Sequence, residues 1–338
     1  MRHRSLGNSG LKVSEICLGT MTFGVQCDEA ASFAILDRAA ETGVDFLDTA
    51  DCYPVPLSLD TVGRTEEILG RWLQDRRDRD RFVLATKCFF PMGPGPNDRG
   101  SSRRHVLRAA EASLRRLRTD VIDLYQVHAF DHETPLEETM RALDDLVRAG
   151  KVRYLGCSNF LAWELARALA VSERSGLSRF DSTQPRYNLL HRDIETELLP
   201  LCRDQGVGVI VFNPLAGGLL TGKHVPGRQP AADTRFGEKL GATGELYRRR
   251  YWQEEALAEV AALKSFFEAR GKTLATVAVA WVLEQPGVTA AIVGASRPEQ
   301  LLATVGASGA TLDEEERRVL DEVWYRLPRQ KPVPGPVR

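Results

Sequence analysis

Four residues, each placed where an apolar run gives out, combine into a chemistry that none of them performs alone. Asp48 and Tyr53 lie in FLDTADCYP, Lys87 ends RFVLATK, and His128 ends DLYQVH. A tyrosine is a poor acid near neutral pH, its unperturbed pKa being about 10. A neighbouring ammonium favours the phenolate and lowers that pKa, while a carboxylate paired with the ammonium holds it in place. Asp48, Lys87 and Tyr53 have the types needed for such a relay. His128 can then orient a substrate oxygen beside the phenol, where a proton is useful as negative charge develops. Taken singly, each has a plainer role: Asp48 as a turn cap, Tyr53 as a half-buried aromatic, Lys87 as a surface cation, His128 as a satisfied core histidine. Taken together they describe a site that protonates a carbonyl as it is reduced.

Such a set needs a scaffold that gathers strand ends. Eight short apolar or β-branched runs (ICLGT, DFLDT, RFVLAT, VIDLYQVH, VRYLGCS, FDSTQ, VGVIVF and TAAIVGA) alternate with longer amphipathic segments. That alternation predicts parallel β/α units. In TPLEETMRALDDLVRAGK the spacing predicts a helix with Thr134 as N-cap, Pro135 at the first position, Glu137 closing a capping box and Gly150 as the stop, with Leu136, Met140, Leu143 and Val147 on one face. In SSRRHVLRAAEASLRRLR, Val106, Ala110, Leu114 and Leu117 share a face and leave Arg103, Arg104 and Arg108 to water. Eight units predict a single (β/α)₈ TIM barrel over residues 1–338, a fold that takes about 250 residues before insertions. Its chemistry gathers at the C-terminal ends of the strands, where the four residues stand. A doubly wound nucleotide fold is disfavoured because no GxGxxG follows an early strand. The stretch from Gly222 to Gly244 is rich in Gly, Pro and polar residues and predicts a long loop after the seventh strand, while residues 328–338 predict a frayed tail.

Composition narrows the partners. Lys and Arg number 45 against 46 Asp and Glu, a formal charge of −1, so no global basic field invites nucleic acid or an anionic membrane. A small molecule is the expected partner, and oligomeric state is not legible. The six cysteines include no CxxC, which argues against a zinc knuckle or a disulfide framework and for a reducing cytoplasm. No apolar signal core opens the chain, and no apolar run reaches the roughly 18 residues of a membrane span.

FLDTADCY, LATK, DLYQVH, KVRYLGCSNF, TQPRYNLL and FNPLAGGLLTGK, in this order, resemble the aldo-keto reductase superfamily from about Leu6 to Gly306. The resemblance implies NADPH-dependent reduction of an aldehyde or ketone, hydride passing directly from nicotinamide to the carbonyl without a metal, and Asp48, Tyr53, Lys87 and His128 as the catalytic tetrad. Asp51 matches no tetrad position and is expected to be a turn residue. The cofactor set implied begins with Gly19, Thr20, Met21 and Asp48. Ser158, Asn159 and Gln184 match residues that hydrogen-bond the nicotinamide carboxamide, and Tyr187 matches the aromatic that stacks on its ring. Ser158 and Asn159 could equally cap the helix that follows. Asn213, Leu215, Gly217, Gly218 and Lys223, then Gly294, Ser296, Arg297 and Gln300, match the phosphate end. Gly217 and Gly218 permit close backbone approach, and Ser296 or Arg297 meeting a 2′-phosphate favours NADPH over NADH. Many members have QLxEN where this chain has QLLAT, so Ala303 and Thr304 replace the Glu and Asn that hold adenosine.

For substrate, Phe23, Tyr53, Phe89, Phe90, Phe130 and Trp252 are expected to line the pocket and to favour an apolar or aromatic carbonyl compound, although aromatics at strand ends also serve as core. NPLAGGLLTGK followed by TRFG and YRRRYWQEE resembles the aflatoxin-aldehyde reductase branch, whereas YPVPLSLDTVGRTEEILG resembles some bacterial members. Two other functions stay open at this point: a regulatory NADPH-binding subunit, since ion-channel β-subunits share this barrel, and a reductase of nucleotide-linked keto sugars.

Overall fold

The computed structural model describes residues 1–328. An N-terminal hairpin of β1 (His3–Ser5) and β2 (Lys12–Ser14) precedes eight strands: β3 (Ile16–Gly19), β4 (Phe46–Asp48), β5 (Val83–Cys88), β6 (Ile122–Val127), β7 (Val152–Ser158), β8 (Phe180–Gln184), β9 (Gly208–Val211) and β10 (Val288–Gly294). These eight close into a barrel in sequence order, every neighbour pair parallel and β10 joining β3. All eight expected strands are present, because each predicted run is buried and ends in residues that cannot continue an apolar strand.

Helices α1 (Glu29–Glu41), α2 (Arg64–Arg76), α3 (Arg103–Leu117), α4 (Leu136–Arg148), α5 (Ala162–Ser175), α6 (Leu198–Gln205), α7 (Gly241–Tyr251), α8 (Glu254–Glu268), α9 (Leu274–Glu284), α10 (Pro298–Val305) and α11 (Glu314–Arg326) lie outside the strands or in the loops. The α3 face made by Val106, Ala110, Leu114 and Leu117 is buried, and Arg103, Arg104 and Arg108 are exposed. In α4, Met140 and Leu143 are buried and Leu136 and Val147 pack beside them, as the period required. Its cap differs from expectation: Pro135 is the N-cap, and no side-chain capping bond forms. Thr134 is drawn away because Asp131 accepts both its N–H and its hydroxyl.

Two apolar cores result. A large one fills the layer between strands and helices, and a small one fills the barrel, with Cys17, Phe46, Ala85, Leu124, Ile210, Ala290 and Ile292. Leu6 and Val13 from the hairpin join the small core and close the barrel's N-terminal end. The open end is therefore the other one, where register aligns Asp48 with Gly19 and with Ala85, Lys87 with Gln126, and Ser158 with Gln184. After β9 the chain makes one short 3₁₀ segment (Ala216–Thr221) with Gly217 and Gly218 at φ 71° and 100°, then runs irregularly to a second (Glu238–Leu240). The loop expected to reach Gly244 ends earlier, as Gly241–Gly244 already form the first turn of α7. The tail is named only to Pro328, the rest lying outside the described residues. Among the described residues no helix is long and apolar enough to cross a membrane, no group of His, Cys, Asp and Glu could hold a metal, and all six cysteines are free and buried.

Candidate active site

Lys87 is fully buried in the barrel, above an apolar lumen core, so its charge must be matched locally. Its Nζ donates to Asp48 Oδ1 at 2.5 Å and to Thr49 O at 2.8 Å. The other carboxylate oxygen, Oδ2, accepts from Gln126 Nε2 at 3.1 Å and Gln184 Nε2 at 2.8 Å. Inward positions on β4, β5, β6 and β8 thus build one satisfied polar layer. Gln126 was not singled out by sequence; its only signal is a polar residue inside the apolar run DLYQV.

Above this layer stands Tyr53, its ring centroid 5.2 Å from Lys87 Nζ and 5.8 Å from the His128 ring at 78°. The four expected catalytic residues are therefore brought together. The electrostatics differ from expectation in one respect: burial, followed by Asp48, pushes the Tyr53 phenol well above its ordinary range instead of Lys87 pulling it down. Lys87 is engaged with Asp48, and desolvation dominates. The phenol is consequently protonated at neutral pH. Burial, and then Lys87, push the His128 imidazole well below its usual value, so it is neutral. His128 Nδ1 lies 3.8 Å from Cys52 Sγ, whose thiol burial holds well above the usual thiol range. With the thiol donating to Nδ1 the tautomer has Nε2 as the ring's N–H; in the other tautomer Nδ1–H donates to Sγ. Asn159 Nδ2 fixes the same histidine by donating to its carbonyl at 2.9 Å.

Asp51 lies in a turn, as expected, but is fully buried there, and both of its carboxylate oxygens lack a partner. Burial and then Glu66 raise its pKa well above the carboxylate range, so it is a neutral acid. Glu66 itself is satisfied by Thr86 Oγ1 at 2.6 Å and Arg116 Nε at 2.7 Å.

The expected cofactor residues fall on the rim from β7 round to β3. Gly19 is needed where it is, since a Cβ there would meet Ile292 Cγ2 at 2.6 Å. The Thr20 hydroxyl is occupied, donating to Asp48 O at 2.9 Å, and Met21 is half-buried with its sulfur 3.6 Å from Arg235 Nη1. Ser158 Oγ donates to Gln184 O at 2.9 Å. Because Gln184 Nε2 is committed to Asp48, its Oε1 is what that side chain can offer a ligand amide. Asn213 has Oδ1 bonded to Tyr247 at 3.2 Å, while its Nδ2 is buried without a partner. Leu215 opens the 3₁₀ segment, and a Cβ on Gly218 would lie 3.9 Å from Lys223 Nζ. Burial, with Arg235 and Arg297 acting against Asp233, lowers the pKa of Lys223, so three cations converge there. Past Gly294, the Ser296 N–H and hydroxyl are held by Gln300 Oε1 at 2.8 and 3.2 Å, and Arg297 is exposed. Thr304 is buried and donates to its own helix at Leu301 O, 3.0 Å away.

Tyr187 does not fit its expected role. It is fully buried against Trp281, with ring centroids 5.4 Å apart, and its hydroxyl donates to Glu195. The half-buried aromatic at the barrel mouth is Phe212, which packs on the lumen core and was not singled out by sequence. The orphaned Asn213 amide, the glycine pair and the three cations fit a nicotinamide dinucleotide with phosphate at the rim.

A sequence model of the Aldo/keto reductase family matches residues 15–325. The chain belongs to that family. This aldo/keto reductase is 40% identical to an uncharacterized oxidoreductase, YrpG, of Bacillus subtilis over 96% of both chains. It is 38% identical to a probable voltage-gated potassium channel subunit beta of Arabidopsis thaliana over 89% of both, and 34% identical to versiconal hemiacetal acetate reductase of Aspergillus parasiticus over 96% of this chain and 97% of the other. Membership supports carbonyl reduction in general, in a family that generally uses NAD(P)H.

The aldo/keto reductase pocket is narrower in aromatics than sequence suggested. Phe23 is fully buried in the outer core and cannot line it. Phe89 and Phe130 are buried too, Phe130 against Phe160 at 5.2 Å. Phe90 is half-buried and meets His128 edge-on at 4.8 Å, and half-buried Trp252 packs with His224 and Phe236 at 4.9 Å each.

Proposed function

We propose that this protein reduces an aldehyde or ketone to an alcohol, with NADPH as reductant and Tyr53 as proton donor. The observation that carries the reading is a protonated phenol standing over a buried, fully partnered Lys87–Asp48 pair and beside a neutral imidazole. When bound, the nicotinamide supplies hydride to the carbonyl carbon. His128 Nε2–H holds the carbonyl oxygen, and Tyr53 gives that oxygen its proton as negative charge develops. The Lys87 ammonium, held in place by Asp48, lies 5.2 Å from the ring that becomes phenolate.

Ser158, Asn159 and Gln184 would hold the carboxamide, and Phe212, in place of Tyr187, would face the nicotinamide ring. Lys223, Arg235 and Arg297 would bind the phosphates, a cationic group better suited to a 2′-phosphate than to a hydroxyl. Phe90 and Trp252 favour an apolar or aromatic substrate. Six free, buried cysteines fit a reducing cytoplasm. A regulatory role is the second reading, favoured by the likeness to the plant channel subunit.

The test is 4-nitrobenzaldehyde and NADPH followed at the absorbance of the reduced nicotinamide. Wild type turns over, and Tyr53→Phe lowers kcat by about 10² or more, the scale of a lost general acid. NADPH still binds, read by intrinsic fluorescence. Near-normal turnover in the variant would remove Tyr53 from its role, and no turnover in wild type would favour the regulatory reading.

A further inference from the structure

One further pair of cations is left without an acid. Arg186 lies two residues past Gln184, and Arg250 stands in the last turn of α7, both partly buried. Arg186 Nη2 is 3.3 Å from His191 Nδ1, and its guanidinium lies 5.8 Å over the Tyr251 ring. Arg250 Nε is buried with no hydrogen-bond partner. The groups acting on Arg250 are Arg186, Tyr251 and Tyr247, none of them a carboxylate, and burial with Arg186 lowers its pKa. Burial, Arg186 and Arg250 hold His191 down at about 3, so it is neutral and offers no charge. The one acid beside this set, Asp193, is exposed and 3.7 Å from His191. Asn188 cannot help, because its acceptor, Oδ1, is taken by the Leu190 N–H at 2.9 Å.

The pair borders the tetrad's opening. Tyr251, under the Arg186 guanidinium and next to Arg250 in the chain, has its ring 6.3 Å from Tyr247, whose hydroxyl donates to Asn213 Oδ1 at 3.2 Å. At Lys223 the charged groups that act are Asp233, Arg235 and Arg297. An unmatched, half-desolvated charged donor is costly unless a ligand supplies the acceptor.

We infer that Arg186 and Arg250 form an oxyanion-binding site on the rim of the barrel mouth, a seat for one carboxylate or phosphate group. Guanidinium groups suit such an oxyanion because their N–H donors match it in pairs. The site goes beyond carbonyl reduction, and its occupation requires no turnover.

Inorganic phosphate is the probe, added at constant ionic strength to protein kept in saturating NADP+. The melting temperature of wild type should rise saturably with phosphate, and Arg186→Gln and Arg250→Gln should each raise the half-saturating concentration about tenfold or more. Arg104→Gln, on the exposed face of α3, should keep the wild-type response, and Lys223→Gln asks whether phosphate sits at the cofactor rim instead. Melting without phosphate shows whether each variant is folded, and the wild-type titration is decisive whatever the variants do. No saturable rise in wild type, an equal rise in both arginine variants, or a rise lost only in Lys223→Gln overturns the site. A second arm assigns the anion: kcat/KM for 4-carboxybenzaldehyde relative to methyl 4-formylbenzoate. A ratio that falls about tenfold in both arginine variants makes it the substrate's own carboxylate, and a ratio that holds while the phosphate response is lost makes it a free anion. Either result leaves the site standing, and failure of the reductase reading would show instead as absent turnover of both aldehydes.

Discussion

The floor and the rim of the barrel mouth handle charge in opposite ways. On the floor every polar atom of the Lys87–Asp48 pair is taken: the carboxylate by Lys87, Gln126 and Gln184, the ammonium also by Thr49 O. On the rim, Lys223 has Asp233 opposed by Arg235 and Arg297, while Arg250 Nε and Asn213 Nδ2 have no partner. A floor built this way needs no rearrangement when charge develops above it, which is where preorganised dipoles contribute most. A rim built this way is incomplete without ligands.

The sharpest way to break the contrast is to open the floor. Lys87→Met leaves Asp48 buried with only two amide donors, so it should cost about 3 kcal/mol or more of stability, read by urea unfolding at pH 7. Turnover should fall by about 10² or more, because the ammonium beneath the Tyr53 ring and the order of the Asp48 layer are lost together. Combining Lys87→Met with Tyr53→Phe should cost little more in kcat than either alone, since the two act as one relay. Additive losses would separate them.

A second test uses the buried imidazole. His128 is held neutral, so its folded pKa lies below the unfolded one, near 6.5. The unfolded chain then binds more protons below that pH, and stability is complete above it and lost as pH falls. Relative to His128→Asn, wild type should lose about 1.4 kcal/mol for each pH unit below 6.5, down to its folded pKa. Parallel pH profiles of urea stability would show that burial does not hold the ring neutral.

On the rim the expected effect is smaller. Arg297 is exposed, and Gln300 already occupies the Ser296 N–H, so a phosphate there meets a screened charge and a displaced side chain. Arg297→Ala should weaken NADPH about 5- to 10-fold, near 1 kcal/mol, and leave NADH little changed. Titrating both cofactors by fluorescence gives the ratio, and equal weakening would take Arg297 away from the 2′-phosphate.

The same contrast divides what sequence could and could not tell. The barrel and the tetrad were legible because each strand ends where an apolar run meets a polar residue, and Asp48, Lys87 and His128 are those residues. Gln126 was hidden because one polar residue inside a strand does not announce which way it points. Tyr187 was misplaced for a related reason: beyond Gln184 the chain leaves strand geometry, alternation no longer predicts sides, and the tyrosine turns out to Trp281. Asp51 is a turn residue as expected, but its burial was hidden because a turn's sequence carries no record of what covers it. The unpartnered Arg250 could not be read at all, since absence of a nearby carboxylate is a property of tertiary packing.

The smallest expected effect sharpens the comparison most, because it tests whether the floor's order extends to a single tautomer. Cys52 Sγ lies 3.8 Å from His128 Nδ1, and the thiol is a weak donor, so it biases the neutral ring toward Nε2–H by less than the 1.4 kcal/mol that makes a factor of ten. Cys52→Ala should therefore lower kcat by about 2- to 5-fold with little change in KM, as the fraction of imidazole able to donate toward the carbonyl oxygen falls. Cys52→Ser restores an X–H donor at the same place and should recover most of the loss. The nitrogen chemical shifts of His128 would report the tautomer directly, moving with Ala and returning with Ser. If both variants match wild type in kcat and in tautomer, the ring's orientation rests on the Asn159 bond to its carbonyl and on Phe90 packing alone, and Cys52 is simply core.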